Sequence, residues 1–205
     1  MVLLYRPIVI KKGKRAMNKK PNSREAIVDT ASRLFFTQGY HGTGLNQIVK
    51  DSDSPKGSLY YYFPEGKEEL ASCCIHRSGE FVSGILRDTL SAASDAASGL
   101  AAFIRGMAED AKQSSFEVLR PFSFWVAAET SCVSEQLRSD CQVAFGDWQR
   151  LIADRLIIEG EEEQMALDKA SAAISLFEGA LLQALTFRDE RPLLAAAELV
   201  GKVLA

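Results

Sequence analysis

The chain has 205 residues, 47% of them hydrophobic, and carries 24 Lys and Arg against 27 Asp and Glu for a net charge of −3. That balance is the balance of an ordinary globular protein. Its apolar stretches are expected to fall short of the ~20 residues a membrane helix needs, and Met1–Pro7 lacks the basic and apolar segments of a secretory signal.

A reducing cytoplasm is the expected compartment. Cys73, Cys74, Cys132 and Cys141 fit it as small buried side chains. They and the two histidines, His41 and His76, show no metal spacing, so no metal and no cofactor is expected. A redox sensor built on Cys132 and Cys141 is an alternative use of the thiols. The charge is uneven: residues 1–70 carry 12 Lys and Arg against 7 Asp and Glu, and residues 71–205 carry 12 against 20. A basic end on an acidic body points to one end meeting a polyanion.

Residues 1–21 read as a basic, disordered tail with no helical period, and Met17 offers an alternative start. Order is expected from Asn22, where Asn22-Ser23-Arg24-Glu25 forms a capping box. Ile27, Ala31, Leu34 and Phe35 then share one helix face, and Gly39 ends that helix. Leu45, Ile48 and Val49 mark a second, short helix, broken by Asp51-Ser52-Asp53-Ser54.

Ser54-Pro55 starts a third helix over residues 55–62, with Ser54 as its cap and Pro55 at its first position. Pro64 ends it, and Lys67 opens a longer helix. Two short helices joined by a tight polar turn predict a helix-turn-helix, whose second helix enters the DNA major groove.

The composition of 55–62 suits that task. Lys56 offers a charge, Gly57 lets the backbone approach DNA, and Ser58, Tyr60, Tyr61 and Tyr62 supply hydroxyls and flat rings. Leu59 and Phe63, four apart, anchor the helix. The competing reading makes the tyrosines core aromatics. Neighbours on a helix are about 100° apart, so three in a row cannot all face inward.

Downstream, amphipathic helices are expected near 67–91, 98–113, 117–130, 134–159, 164–187 and 190–204, punctuated by Gly99, Pro121, Gly160 and Pro192. The fold class predicted is all-α, about nine helices. The domains expected are the tail 1–21, a DNA-binding domain 22–68 and a helical ligand-binding and dimerisation domain 69–205.

The segment Asn22–Leu70 resembles the DNA-binding domain of the TetR family of bacterial repressors. The resemblance rests on Ala31, Leu34-Phe35, Gly39-Tyr40, Thr43, Ile48, the run Ser54–Phe63 and Lys67-Glu68-Glu69-Leu70. The wording around Thr43–Ile48 and Gly66–Leu70 is similar to the subfamily of lincomycin- and flavonoid-responsive repressors. That family implies DNA contacts at Thr43, Gly44, Lys56, Gly57, Tyr60, Tyr61 and Tyr62, with Lys67 on a phosphate. Tyr62 stands where many relatives have histidine, and Asp53 stands where the turn usually has glycine or an apolar residue. Aspartate tolerates a left-handed backbone.

The resemblance also implies a homodimer on palindromic double-stranded operator DNA, released by a small-molecule effector, with the helix after Lys67 as the lever. Two half-sites need two heads. The dimer interface is expected on Ala170, Ile174, Phe177, Leu181 and Leu185, facing Leu193, Ala196, Val200 and Val203. Intramolecular core would use the same residues. Effector lining is expected from Phe103, Met107, Phe122, Trp125, Phe145, Trp148 and Phe177, with Phe116 and Phe124 nearby. Glu129, Gln149 and Arg120 are the polar handles expected beside them. An enzyme is not expected, since no nucleophile–base pairing is legible. A helical protein–protein adaptor remains the other reading of the amphipathic body.

Overall fold

Ile27, Ala31, Leu34 and Phe35 all lie buried on one face of the first helix, α1 (Ser23–Gly42). The computed structural model describes residues 23–116 and 124–205, and the backbone alone of 124–126. The basic tail, the Asn22 cap, Arg120, Pro121 and the side chains of Phe122, Phe124 and Trp125 lie outside the described residues. Gly39, expected to end the helix, instead kinks α1 at φ 77° and ψ 168°, and one more turn carries the chain to Gly42.

The next two helices are α2 (Leu45–Asp51) and α3 (Lys56–Tyr62). Between them Asp53 adopts φ 50°, the left-handed conformation that aspartate tolerates. The expectation that Ser54 caps α3 is not met. Its hydroxyl turns back onto the Ser52 carbonyl at 3.3 Å, and α3 begins one residue later with Pro55 as N-cap.

A 26-residue helix, α4 (Lys67–Ala92), follows. The helix α5 (Ala96–Gln113) starts two residues before the expected position, because Asp95 caps it by accepting from Ser98 N–H at 2.7 Å. Gly99 therefore sits inside α5 and does not punctuate it. A Cβ there would fall 2.8 Å from the Leu90 Cα, so glycine permits the close approach of α4 and α5.

The remaining helices are α6 (Phe124–Thr130), α7 (Glu135–Ile158), α8 (Glu163–Phe187) and α9 (Arg191–Leu204). Ser134 caps α7, Gly160 turns the chain at φ 103°, and Pro192 lies in the first turn of α9. Among the described residues there are nine helices and no strand.

Helices α2 and α3 pack on α1 and on each other, and α1 in turn packs on α4 and α6. Beyond them α4 packs on α5 and α7, and α8 packs on α7 and α9. Trp148 of α7 is fully buried and its indole N–H donates to the Gly79 carbonyl of α4 at 3.2 Å. α8 is, by length and composition, apolar enough to cross a membrane, contrary to the expectation that every apolar stretch falls short. Its packing gives the reason: Ala166, Ala170, Ala173, Ile174 and Phe177 are buried against the protein's own helices.

Candidate nucleic-acid interface

Leu59 and Phe63 are almost fully buried, at 0% and 2% exposure, and hold α3 to the head. That fixes the opposite side of α3 outward. Lys56, Gly57, Tyr60 and Tyr61 are exposed, with Tyr61 at 79%, and Ser58 and Tyr62 are half-buried. Tyr61 and Tyr62 meet edge to face, with ring centroids 5.0 Å apart. Each ring stiffens the other, which lowers the entropy lost when either is fixed by a partner.

Gly44 is the N-cap of α2 and, like Gly57, has an ordinary backbone conformation and open space where a Cβ would project. Neither the packing of the head nor its backbone demands glycine at these two places.

Two expected contacts differ. Thr43 is buried, at 1% exposure, and its hydroxyl donates to the Gly39 carbonyl at 2.8 Å. Its side chain sets the α1–α2 joint and has no surface to offer DNA. Lys67 is half-buried with its ammonium 4.5 Å from the centre of the Tyr40 ring. Burial pushes its pKa down, and the carboxylate of Glu129 pushes it back up. To meet a phosphate this ammonium must leave the ring.

Glu129, expected as a handle in an effector site, stands at the same joint. Its Oε2 accepts from Tyr40 N–H and its Oε1 from His41 N–H, both at 2.8 Å. These donors are backbone amides freed by the Gly39 kink, so no side-chain pattern announces them. Beside them, Ser134 donates to the Glu68 carboxylate, tying the α6–α7 turn to the start of α4.

The expected effector residues separate in the body. Phe103, Met107, Trp148 and Phe177 are buried core, with Phe103 and Phe177 packed edge-on at 5.1 Å. Phe145 behaves differently: with Ala127, Ser131, Cys141, Gln142 and Gln149 it lines an open cavity of about 410 Å³ between α6 and α7. Gln149 is thus the one expected polar handle, among the described residues, that reaches a cavity with an expected aromatic.

The expected dimer stripes are corrected by burial. Ala170, Ile174, Phe177, Leu181, Ala196 and Val200 are all buried within a single chain, and Leu185 is half-buried. The most apolar stripe of each helix is spent on its own core. The face of α8 that remains outward carries Ala172, Ser175 and Gly179, edged by half-buried Leu176 and Leu182. On α9, Leu194, Ala195 and Leu199 are exposed. Small residues three and four apart were the sequence signal for this second face.

The thiols are free. Burial pushes Cys141 up to about 11 and Cys74 up to about 12. A thiol that keeps its proton is a poor nucleophile, which weighs against a redox pair of Cys132 and Cys141.

The arrangement has known counterparts. Residues 27–72 match the profile of bacterial regulatory proteins of the tetR family, and residues 96–199 match the C-terminal domain of LmrA/YxaF-like transcriptional regulators. An uncharacterised HTH-type transcriptional regulator of Bacillus subtilis, YxaF, is 40% identical over 89% of this chain and 95% of its own. The HTH-type transcriptional regulator LmrA of the same organism is 37% identical over 89% of this chain and 97% of its own. The crystal structure of a TetR transcriptional regulator from Legionella pneumophila superposes with a TM-score of 0.77 at 22% identity, covering 91% of this chain and 98% of that one. The chain belongs to the TetR family of helix-turn-helix transcriptional regulators.

Proposed function

We propose that the chain is a transcriptional repressor that binds a palindromic operator as a homodimer and leaves it when a small apolar or aromatic effector binds the body. The outward surface of α3 carries the reading. Lys56, Gly57, Ser58, Tyr60, Tyr61 and Tyr62 face or border solvent together while Leu59 and Phe63 hold the helix in place. Lys56 supplies charge for phosphate or a guanine edge, and the tyrosines supply hydroxyls and ring faces. The open space over Gly44 and Gly57 is the space a DNA backbone would fill. Thr43 acts from behind, by fixing the joint that aims α2, and Lys67 reaches a phosphate only after leaving Tyr40.

The second copy docks on the outward face of α8 and α9, through Ala172, Ser175, Gly179, Leu194 and Leu199. This isologous pairing of helix pairs would place two heads on one operator, about one DNA turn (~34 Å) or a multiple apart. The effector sits in the α6–α7 cavity, whose volume falls within the ~300–1,000 Å³ of small-molecule sites. Phe145 offers it a ring, and Gln149 and Gln142 offer amides. The domains divide as a DNA-binding head over 22–68 and a ligand-binding and dimerisation body over 69–205. The protein works in the cytoplasm, where its DNA is.

The test is fluorescence anisotropy on the DNA upstream of its own coding region, with a salt titration. Saturable binding that weakens steeply with salt and is lost in Tyr61→Ala is the expected result. Binding that Tyr61→Ala and Lys56→Ala leave untouched would remove the reading.

A further inference from the structure

We propose that Glu129 is the positioning residue through which filling of the α6–α7 cavity loosens the DNA-binding head. The inference deepens the function proposed above and rests on the cavity assigned there. Ala127 and Ser131 line that cavity, and Ser131, just past the end of α6, stays over the same face because its N–H donates to the Ala127 carbonyl at 3.0 Å. Glu129 is two residues from each, about 200° around the helix, and therefore on the opposite face. There it grips the Tyr40 and His41 amides of α1 with both carboxylate oxygens. Helix α6 thus stands between the cavity and the head, with a wall of one on one side and the clamp of the other on its back.

The clamp is built to be tight. Gly39 adopts φ 77°, and a Cβ there would fall 2.7 Å from Glu129 Oε2 and 3.0 Å from Oε1. The kink frees two amides, and the missing side chain lets a carboxylate come down on them. Bonds from neutral N–H groups to a carboxylate are charge-assisted and short-ranged, so a shift of α6 by an ångström or two breaks both. A molecule seated against Ala127 and Ser131 pushes α6 toward α1, and since both bonds already stand at 2.8 Å the helix yields by sliding or tilting, which misaligns them. The α1–α2 joint then loses its tie to the body, and the heads lose their fixed spacing.

This linkage runs beside the one through α4, which reaches the body by its own packing on α7 and meets the α6–α7 turn where Ser134 donates to Glu68. Helix α6 is short, at seven residues from Phe124 to Thr130, and its far end is tied to α7 through Thr130 and Cys141 at 3.9 Å. A helix of two turns moves as a unit more readily than a 26-residue one.

The experiment reads amide hydrogen exchange at Tyr40 and His41 by NMR, on the full chain without DNA. Gly146 lines the cavity and has open space where a Cβ would project, so Gly146→Trp fills the cavity from within. Gly146→Leu, a smaller filling of the same space, is measured beside it and carries the test if the tryptophan variant does not unfold cooperatively. Glu129→Ala is expected to speed exchange of both amides about tenfold or more, since each loses a charged acceptor. Glu129→Gln, which keeps one acceptor oxygen, should fall between. The filled variant should speed the same two amides, and combining it with Glu129→Ala should add nothing. Unchanged exchange at Tyr40 and His41 in the filled variants, or equal gains from filling with and without Glu129, would overturn the proposal. Because DNA is absent from this measurement, failure of the chain to bind upstream DNA would sink the repressor reading alone.

Discussion

Gly39 and Glu129 are fitted to each other: a Cβ on Gly39 would lie 2.7 Å from Glu129 Oε2. The backbone of Gly39, at φ 77° and ψ 168°, is open to glycine almost alone. Gly39→Ala is therefore expected to destabilise the fold by about 1–3 kcal/mol, read as a lower urea midpoint. Part of that cost is displacement of the carboxylate. In a Glu129→Ala background the same change should cost less, and a double-mutant cycle isolates the difference.

On α3, affinity and stability should separate by face. Tyr61 is 79% exposed, so Tyr61→Ala should shift stability by no more than about 0.5 kcal/mol. Its operator affinity, and that of Lys56→Ala, should fall by about 1–3 kcal/mol. Leu59 is fully buried, and Leu59→Ala should cost about 2–5 kcal/mol of stability. Thermal melts and anisotropy on the same three variants check the pattern. A Tyr61→Ala that melts early would assign the ring to the core.

The outward face of α8 and α9 supports a test of assembly that spares the single chain. Gly179 is exposed, and nothing lies within 4 Å of where its Cβ would stand. Gly179→Arg should leave the fold intact, judged by circular dichroism, while sedimentation shows the mass of one chain where the wild type shows two. Operator affinity should drop with it. A Gly179→Arg protein that still sediments as a dimer would move the interface elsewhere.

Buried thiols give the stability a pH dependence on the alkaline side. Cys74 is held up at about 12 and Cys141 at about 11, in both cases by burial first, against an ordinary thiol value of 9.0. In the unfolded chain both lose their protons above about pH 9, while the folded chain keeps them. Their contribution is complete below pH 9 and is lost as pH rises toward 11–12. Urea midpoints should fall over that window, and Cys74→Ala with Cys141→Ala should flatten the fall. Exposed Cys132 should be alkylated first at neutral pH.

Much of this was legible in the sequence because it depends on neighbours along the chain. The break at Gly39, the left-handed Asp53 and the anchors Leu59 and Phe63 follow from periodicity and turn chemistry within a few residues. Local rules also showed that Tyr60–Tyr62 could not all face inward. What was misplaced depends on tertiary partners. Ala170 through Leu181 looks the same as a dimer stripe or as core, because both bury one apolar face. Phe103 and Phe177 are aromatic whether they line a cavity or fill one. Glu129 was noticed as a charge, but its partners are two amides about ninety positions upstream, and backbone groups leave no trace in a sequence. Thr43 sits at the right place along the chain for DNA, yet its hydroxyl is turned inward by a carbonyl four residues before it.

The bond from the Trp148 indole to the Gly79 carbonyl makes this ring an internal gauge. The acceptor belongs to the helix that runs from the head into the body, and the donor belongs to the helix that forms one wall of the cavity. Any sliding of the first past the second must stretch or break that bond and change the polarity around a fully buried fluorophore. The chain has two tryptophans, so replacing Trp125 by Phe leaves one emitter at this junction. The protein then carries its own optical readout of the motion that the proposed regulation requires, with no label attached.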